Sequence, residues 1–263
     1  ASKTHFEAIG ENVYELFVRT IPDYFFLTVD ILYWSVVGLF GKNHHRKGET
    51  VNQAVLIGVN AVAIVGTLSF IIGLVLALQS AAQLRDFGAN IYIVDLTVIA
   101  MMREMGPLIT AILVAGRSGS SVAAEIATMK VTSELDALTT MALNPIRFVV
   151  VPKVYGAVIT MPFLTILANV MGILGGMVVG YFYLDLSPEV FFNRMSTSLY
   201  NRDIVISIVK SLIFAILIIL TGCYYGFNVE EGAEGVGKST TLAVVVAISL
   251  VIVADSILGL VFY

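Results

Sequence analysis

The 263-residue chain has the composition of a membrane protein. Hydrophobic residues make up 58% of it and charged residues only 13%, whereas an average soluble chain is about 25% charged. This composition excludes a disordered segment, a nucleic-acid-binding protein and an ordinary cytosolic enzyme. The net charge of −4 is small and dispersed, so it provides no surface for binding a polyanion or a polycation.

The first 50 residues predict helices that do not cross the bilayer. Apolar residues recur at helical spacing over 6–17, with glutamates on the other faces, which is typical of an amphipathic helix lying on headgroups or on a partner domain. The run at 24–41 is only about 18 residues long, carries Asp30 and clusters Tyr33 with Trp34, side chains that favour the water interface. We expect this run to be interfacial or half-inserted.

Five later runs are long enough to cross the bilayer as helices, since a crossing of the roughly 30 Å hydrocarbon layer takes about 20 apolar residues. They cover about 54–83, 91–115, 154–182, 204–225 and 241–262. All are too long and too uniformly apolar for the strands of an outer-membrane barrel. The predicted fold class is therefore an all-α membrane protein, with N-terminal amphipathic and interfacial helices at 1–50 and five transmembrane helices in a domain at 51–263.

The basic residues of the connections predict the orientation, because cytoplasmic loops retain Lys and Arg. One side carries eight of them: Lys42, Arg46, Lys47, Arg117, Lys130, Arg147, Lys153 and Lys238. The other side carries three: Arg85, Arg194 and Arg202. We therefore expect the N-terminal region and the connections at 116–153 and 226–240 to face the cytoplasm, which five crossings satisfy.

The long connection at 116–153 predicts an amphipathic helix over 123–143. Four charged residues alternate there with Ile126, Leu135, Leu138 and other apolar residues. The charged residues are Glu125, Lys130, Glu134 and Asp136. Such a helix between two crossings suits a cytoplasmic coupling element, and a helix that merely lies on the bilayer surface has the same pattern.

The second span carries two charges near its middle, in the sequence Met-Met-Arg-Glu-Met-Gly-Pro at 101–107. An unpaired charge at that depth costs about 2.5–3.5 kcal/mol on insertion scales, so Arg103 and Glu104 are expected to face a cavity or each other, or to pair with a neighbouring helix for assembly. Pro107 removes a backbone hydrogen bond and permits a kink at the same depth. A polar lining of a substrate pocket is one interpretation, and an assembly pair is the other.

The first span carries a mixed apolar and amide stripe. Leu76, Gln79, Gln83 and Phe87 are spaced by three, four and four residues, which places them on one helical face. Such a face suits an amphiphilic ligand. Glutamines at these positions also commonly bond a neighbouring helix.

Small residues in the third span predict close helix packing. Gly172, Gly176 and Gly180 recur at every fourth residue, the spacing that lets helix backbones approach. The packing can lie within one subunit or between subunits.

The remaining reactive residues predict no catalytic or metal site. Asp95, Lys210 and Asp255 lie near span ends, where snorkelling or pairing is the ordinary explanation. The single cysteine, Cys223, lies in an apolar run and is interpreted as a buried, inert thiol. A membrane enzyme acting on lipid would need a nucleophile beside a base, and no plausible nucleophile neighbours a histidine in the sequence. The histidines are His5, His44 and His45.

A phosphate-loop pattern near the last span is interpreted as coincidental. Residues 232–239, Gly-Ala-Glu-Gly-Val-Gly-Lys-Ser, match the pattern GxxxxGK[ST]. A working phosphate loop follows a buried strand and opens a helix of an α/β domain, whereas this one follows one membrane span and leads into another. Nucleotide binding by Lys238 is therefore not expected.

The run at 116–138 resembles the signature of the MlaE/YrbE permeases. Its sequence is Gly-Arg-Ser-Gly-Ser-Ser-Val-Ala-Ala-Glu-Ile-Ala-Thr-Met-Lys-Val-Thr-Ser-Glu-Leu-Asp-Ala-Leu. The sequences Arg-Glu-Met-Gly-Pro at 103–107 and Asn-Pro-Ile-Arg at 144–147 resemble that family as well. So does the connection before the last span, with Gly-Val-Gly at 235–237 and Ser-Thr-Thr at 239–241. The resemblance extends from about residue 50 to the C-terminus.

The resemblance implies the membrane subunit of a lipid-transporting ABC system in the inner membrane of a Gram-negative-type bacterium. It also implies that the helix at 123–143 docks on a separate ATPase and that a phospholipid cavity forms between two copies of the chain. The implied docking residues are Glu125, Met129, Lys130, Glu134 and Asp136. The implied cavity residues are Leu76, Gln79, Gln83, Phe87, Arg103 and Glu104.

The other partners implied by the resemblance are a second copy of the chain, two ATPase subunits, a ring of MCE-domain proteins on the opposite side and a small STAS-type cytoplasmic subunit. No cofactor is expected in this chain, since ATP and Mg²⁺ would bind the partner ATPase. Phospholipid is the expected substrate, and sterol or fatty acid is the alternative within the family. Composition and spacing alone allow a transporter, a channel or a non-transporting scaffold.

Overall fold

The structure, a computed structural model, describes residues 21–40, 48–84, 91–230 and 232–262. These residues form helices, and no strand occurs among them. The amphipathic helix predicted over 6–17 lies outside the described residues, as does Phe87. In chain order the helices are α1 Ile21–Phe40, α2 Glu49–Leu84, α3 Tyr92–Val131, α4 Glu134–Thr140, α5 Ile146–Leu184, α6 Pro188–Ser198, α7 Asn201–Phe227 and α8 Ala233–Phe262.

Five helices of the described chain, α2, α3, α5, α7 and α8, are long and apolar enough to cross a membrane. This confirms the predicted number of crossings and the all-α membrane fold class. Helix α1 is not one of the five, and it packs against the bundle through Tyr24, whose hydroxyl lies 3.1 Å from that of Thr221. Trp34 also lies under the guanidinium of Arg147, 5.4 Å from the ring centre. The interfacial position of this helix stays a prediction.

Helices α2 and α5 pack together along their lengths because glycines let the two backbones touch. A Cβ atom at Gly73 would lie 1.9 Å from the carbonyl oxygen of Gly172, and one at Gly175 would lie 2.1 Å from that of Phe70. Both distances are too short for any side chain. The absence of a side chain at these two glycines therefore sets the spacing of this helix pair.

The glycine stripe of α5 also receives side chains of α3. A Cβ atom at Gly172 would lie 2.0 Å from Cε of Met101, and one at Gly176 would lie 2.6 Å from Cγ2 of Thr97. The close packing predicted for this stripe is confirmed, and these contacts lie within one chain. Helix α3 is thereby held against α5 at the level of its central charges.

The single helix predicted over 123–143 is wrong. Helix α3 continues without a break from Tyr92 to Val131, because Val122, Ala123, Ile126 and Ala127 are buried on its bundle-facing side. The helix ends at Thr132, and Ser133 takes a left-handed backbone conformation, with φ of 59°. The chain then starts the separate short helix α4.

Helix α7 runs through the centre of the bundle and contacts α3, α5 and α8. It buries Phe214, Ile218 and Ile219 completely. Gly222 lets it approach α3 closely, since a Cβ atom there would lie 3.0 Å from the carbonyl oxygen of Gly119. Polar residues in the first half of α7 meet the middle of α3 in the protein interior.

Candidate functional site

The charges of α3 lie near the middle of the membrane-spanning region. Tyr92, at the start of α3, is an exposed aromatic residue of the kind enriched at membrane interfaces. Arg103 and Glu104 follow it by about 17 Å of helix, at 1.5 Å per residue. If Tyr92 marks one edge of a hydrocarbon layer of about 30 Å, this distance corresponds to a position close to the midplane.

A π-helical turn at Met101–Met105 presents these two charges, and Pro107 follows it directly. Proline has no N–H to donate to the carbonyl four residues earlier, which is that of Arg103. A wider turn with i to i−5 bonding accommodates such a residue, and the N–H of Gly106 bonds the carbonyl of Met101 in that pattern. The kink expected at this depth therefore takes the form of a π turn.

Lys210 of α7 connects three groups around this turn. Its ammonium donates to the carbonyl oxygen of Arg103 at 3.0 Å, to Oε2 of Glu104 at 2.9 Å and to Oδ1 of Asp255 at 2.9 Å. These partners use all three donors of a lysine ammonium. The side chain of Lys210 is fully buried, so the partners replace water as its solvation shell.

Arg103 forms the second pair of the cluster. Its Nε donates to Oδ1 of Asp203 at 2.9 Å, and only 3% of the Asp203 side chain is exposed. The other carboxylate oxygen of Asp203 is buried and has no hydrogen-bond partner among the described residues. Nearby on α5 and α7, the amide of Asn169 donates to the hydroxyl of Ser207 at 3.0 Å. We name Arg103, Glu104, Asp203, Lys210 and Asp255 the central charge cluster.

The central charge cluster has a buried part and a partly exposed part. Lys210 and Asp203 are enclosed, whereas 32% of the Arg103 side chain and 36% of the Glu104 side chain are exposed. Glu104 also lies beside α8, where a Cβ atom at Gly259 would be 3.7 Å from its Oε1. The arrangement presents one cation and one carboxylate side by side at membrane depth, and both are held by partners behind them.

The structure decides between the two explanations given for Lys210 and Asp255. They pair with each other inside the bundle and do not snorkel. Asp203 was missed, although an aspartate at the third position of a 27-residue apolar helix is itself a signal of an intramembrane partner. Sequence spacing does not show which cation an aspartate will meet.

The polar stripe of the first span lies on α2. Leu76 is half-buried there, and Gln79 and Gln83 are exposed. The contacts described for Arg103 and Glu104 run to α7 and α8, so Asp203, Lys210 and Asp255 complete the cluster. A ligand role for the α2 stripe stays a prediction.

Helix α6 is held to the start of α3 by a second ion pair. Nε of Arg194 donates to the two oxygens of Asp95 at 2.8 and 3.0 Å, and the hydroxyl of Ser198 donates to the same carboxylate. The guanidinium also lies over the ring of Tyr92, 5.1 Å from its centre. The hydrogen bond to Asp95 raises the pKa of Arg194 above its usual value.

The opposite end of the bundle carries the residues implied in docking. Lys130, Glu134 and Asp136 are exposed, and Met129 is half-buried. Glu125 instead forms an intramolecular pair, since Nζ of the buried Lys153 donates to its Oε2 at 2.6 Å. Helix α4 therefore presents two exposed acidic residues at this end.

The phosphate-loop pattern occupies a helix. Residues from Ala233 onward form the first turns of α8, with Gly235, Gly237 and Lys238 in the helix itself. Nζ of Lys238 lies 3.2 Å from both oxygens of Glu230. This geometry differs from the strand–loop–helix arrangement that cradles a nucleotide phosphate.

Comparison with known proteins identifies the family to which this bundle belongs. Residues 50–261 match the family described as Permease MlaE. The chain belongs to the MlaE permease family. MlaE-family permeases are membrane subunits of transporters and not themselves enzymes, so the chain is an ABC transporter permease.

Three relatives show how far the similarity of this MlaE-family permease extends. The intermembrane phospholipid transport system permease protein MlaE of Haemophilus influenzae is 35% identical over 228 residues, 86% of this chain and 87% of that protein. A probable ABC transporter permease protein of Rickettsia prowazekii is 36% identical over 213 residues, 81% of this chain and 82% of that protein. The chloroplastic protein TRIGALACTOSYLDIACYLGLYCEROL 1 of Arabidopsis thaliana is 31% identical over 239 residues, 90% of this chain and 68% of that protein.

Proposed function

We propose that this MlaE-family permease moves phospholipid between the inner membrane of a Gram-negative-type bacterium and a conduit of MCE-domain proteins, driven by a separate ATPase. The cargo class is supported by the name of the Haemophilus influenzae relative, an intermembrane phospholipid transport system permease. The observation that carries the proposal is the partly exposed pair of Arg103 and Glu104 at the membrane midplane.

The exposed pair suits a phospholipid headgroup. Arg103 is a donor for a phosphodiester, and the half-exposed carboxylate of Glu104 is an acceptor for a headgroup amine or hydroxyl. A fatty acid would engage only the cation, and a sterol would offer one hydroxyl to two charged groups. A phospholipid offers a further partner to each of these two groups on its exposed side, which favours it over the sterol and fatty-acid alternatives.

The surfaces around the cluster supply room for acyl chains when two copies of the chain pair. Helix α8 lies beside Glu104 and exposes Val253, Ile257, Leu260 and Val261 along its second half. Helix α2 is likewise exposed over much of its length, including the Gln79 stripe. In this proposal the second copy closes a cavity over the central charge cluster, with acyl chains along these apolar faces.

Lipid recovery tests the proposed cargo. The full chain is extracted with its partners in mild detergent, and native mass spectrometry counts the phospholipids that each complex retains. We expect wild type to hold phospholipid and Arg103→Gln with Glu104→Gln to hold about a hundredfold less, since two charge-assisted hydrogen bonds are lost and each is taken as about tenfold. Lys238→Gln, which changes an exposed cation far from the cluster, is the matched control.

Two results contradict the proposed cargo. Retention of a sterol or fatty acid in place of phospholipid would select the alternative cargo. Equal phospholipid retention by the wild type and the double variant, together with an intact outer-membrane barrier in cells that carry the variant, would instead favour a non-transporting scaffold.

Docking of the ATPase is assigned in this proposal to α4. Its exposed carboxylates, Glu134 and Asp136, stand on a seven-residue helix whose Leu135 and Leu138 are buried against the bundle. A displacement of this helix would therefore be transmitted to the core through these two buried leucines. ATP and Mg²⁺ would bind the ATPase, a STAS-type subunit would lie on the same side, and the MCE ring would lie on the side of α6.

Charge reversal tests the docking assignment. Glu134→Lys with Asp136→Lys is expected to abolish co-purification of the ATPase and lipid-stimulated ATP hydrolysis. Glu189→Lys reverses a charge at the opposite end of the bundle and is expected to leave both unchanged. Normal ATPase recovery with the α4 variant would exclude α4 as the docking element.

A further inference from the structure

A polar crevice separates α2 from the second half of α3. Helix α2 packs against α5 and the first half of α3, whereas the second half of α3 packs against α7 and α8, so the two elements diverge. The crevice between them has a volume of about 120 Å³. We name it the Arg117 crevice, after the cation in its wall; its polar lining is Gln53, Asn60, Arg117, Ser118, Ser121 and Glu125.

The local fold directs Arg117 into this space. Residues Ala115–Gly119 form a second π turn in α3. Gly119 faces α7, where a Cβ atom would lie 3.1 Å from a methyl of Ile218. Arg117 lies on the other side of α3 and donates from Nη1 to the carbonyl oxygen of Asn60 on α2. This hydrogen bond bridges the crevice.

Arg117 differs in its partner from three other cations of the membrane-spanning helices. Arg103, Lys153 and Lys210 each lie within 3 Å of a carboxylate oxygen. Within residues 21–40, 48–84, 91–230 and 232–262, no carboxylate forms a salt bridge with Arg117. Its only described hydrogen bond uses one of five guanidinium N–H groups, so the cation has donors available for an anion.

The depth of the crevice matches lipid headgroups. Arg117 follows Tyr92 by about 37 Å of helix at 1.5 Å per residue, slightly more than the roughly 30 Å thickness of the hydrocarbon layer. If Tyr92 marks one interface, Arg117 lies at the phosphate level of the other. The positive-inside distribution of Lys and Arg assigns that level to the cytoplasmic leaflet.

We infer that the Arg117 crevice binds the phosphate group of a phospholipid from the cytoplasmic leaflet, as a loading site separate from the central charge cluster. Arg117 supplies the charge, and the hydroxyls of Ser118 and Ser121 line the same space. Glu125 closes the cytoplasmic edge, where its pair with Lys153 fixes it in place. The loading role rests on the proposed function, whereas the phosphate site itself is inferred from the geometry and the polar lining of the crevice.

Photolabelling tests this site. The full chain is placed in nanodiscs of phosphatidylethanolamine and phosphatidylglycerol that contain a phosphatidylglycerol with a photoreactive group beside its phosphate, and labelled peptides are mapped by mass spectrometry. We expect labelling of the crevice walls around 53–60 and 117–125 in the wild type. Arg117→Gln should lower it about tenfold, as expected for one lost charge-assisted contact, and Arg117→Lys should retain part of it.

Two further variants make the test specific. Ser121→Leu keeps the charge but fills an exposed position in the crevice wall, and it should also lower labelling. Arg202→Gln is the matched control, because Arg202 also donates to a backbone carbonyl, that of Phe262, at the other end of the bundle. Labelling at 53–60 and 117–125 should be unchanged in this control.

The remaining outcomes distinguish a failure of the crevice site from a failure of the proposed function. Equal labelling in wild type and Arg117→Gln overturns the inference, and competition by excess inorganic phosphate would show a free-anion site in place of a lipid site. Labelling of the central charge cluster without labelling of the crevice overturns the inference and leaves the proposed function intact. Labelling of the crevice in Arg103→Gln, combined with loss of transport, would support both.

Discussion

The ammonium of Lys210 lies 3.0 Å from the carbonyl oxygen of Arg103, the carbonyl that would be bonded in an α-helix by the N–H that Pro107 lacks. A backbone acceptor freed by a proline in one membrane helix is thus satisfied by a cation from another. The same ammonium neutralises Glu104 and Asp255. The π turn in α3 and the burial of Lys210 therefore depend on each other. The ammonium supplies the donor that the carbonyl of Arg103 lacks, and the carbonyl supplies an acceptor that replaces water around the buried ammonium.

Replacing Lys210 by methionine should strongly destabilise the fold. The substitution leaves Glu104 and Asp255 without their shared cation and the carbonyl of Arg103 without a donor. Removing one partner of a buried ion pair typically costs about 3–5 kcal/mol. Unfolding in mixed micelles, followed by circular dichroism, measures the change.

Two controls accompany the Lys210 variant. Lys238→Met breaks the exposed pair with Glu230 and should change stability little, because water replaces the lost partner. Adding Glu104→Gln and Asp255→Asn to Lys210→Met should recover part of the loss, because the unpaired carboxylates are removed. Similar losses in the Lys210 and Lys238 variants would contradict the central role of the buried ammonium.

Replacing Gly73 by alanine should separate α2 from α5. The new methyl group would lie 1.9 Å from the carbonyl oxygen of Gly172, and a backbone atom cannot move aside as a flexible side chain can. Overpacking of this kind costs about 1–3 kcal/mol. The same unfolding experiment measures it, with Gly237→Ala as the control, since nothing lies within 4 Å of a Cβ atom there. A neutral Gly73 variant would show that the two helices are not in contact at this point.

Replacing Arg194 by alanine should release α6 from the bundle. The variant removes the bonds to Asp95 and the contact with Tyr92, while Phe191 still packs in the interior. Amide hydrogen exchange over 188–198 should become faster, whereas exchange in α7 should not change. Arg202→Ala is the comparison, because Arg202 lies on the neighbouring helix and has no described bond to α6. Unchanged exchange in α6 would mean that its apolar contacts alone hold it.

Replacing Ser133 by glycine should preserve the break between α3 and α4 and remove its strain. Ser133 has φ of 59°, a left-handed conformation that costs a residue with a Cβ atom about 1–2 kcal/mol and costs glycine little. We expect equal or slightly higher stability and normal ATPase recovery. Ser133→Val should lower stability, because a β-branched side chain tolerates this conformation poorly. The opposite ranking of the two variants would show that the break has another geometry.

Some of the candidate site could be predicted from residues alone. Arg103 and Glu104 lie inside an apolar run, and the cost of a lone charge in lipid implies partners or a cavity whatever the fold. The partners could not be predicted, because Arg103 meets Asp203 across 100 residues and Glu104 meets Lys210 across 106. No local periodicity encodes a contact of that range.

The division of the predicted coupling helix has a similar cause. Its amphipathic pattern over 123–143 fits one continuous helix, since charged and apolar residues keep the same spacing on both sides of Ser133. Burial of Ile126 and Ala127 in the bundle makes the first part an extension of α3, and Leu135 and Leu138 anchor the second part separately. Two attachments to the core, and not helix propensity, decide where the chain turns.

The sequence by itself determined the five crossings and the all-α class, because the hydrocarbon layer demands long apolar helices wherever they pack. It also indicated close packing at the glycine stripe of α5. Only the tertiary structure decided which chain segments surround each buried charge, because electrostatic and hydrogen-bonding partners are chosen by proximity in space. Lys210 shows the difference, since it lies on α7 while its three partners lie on α3 and α8.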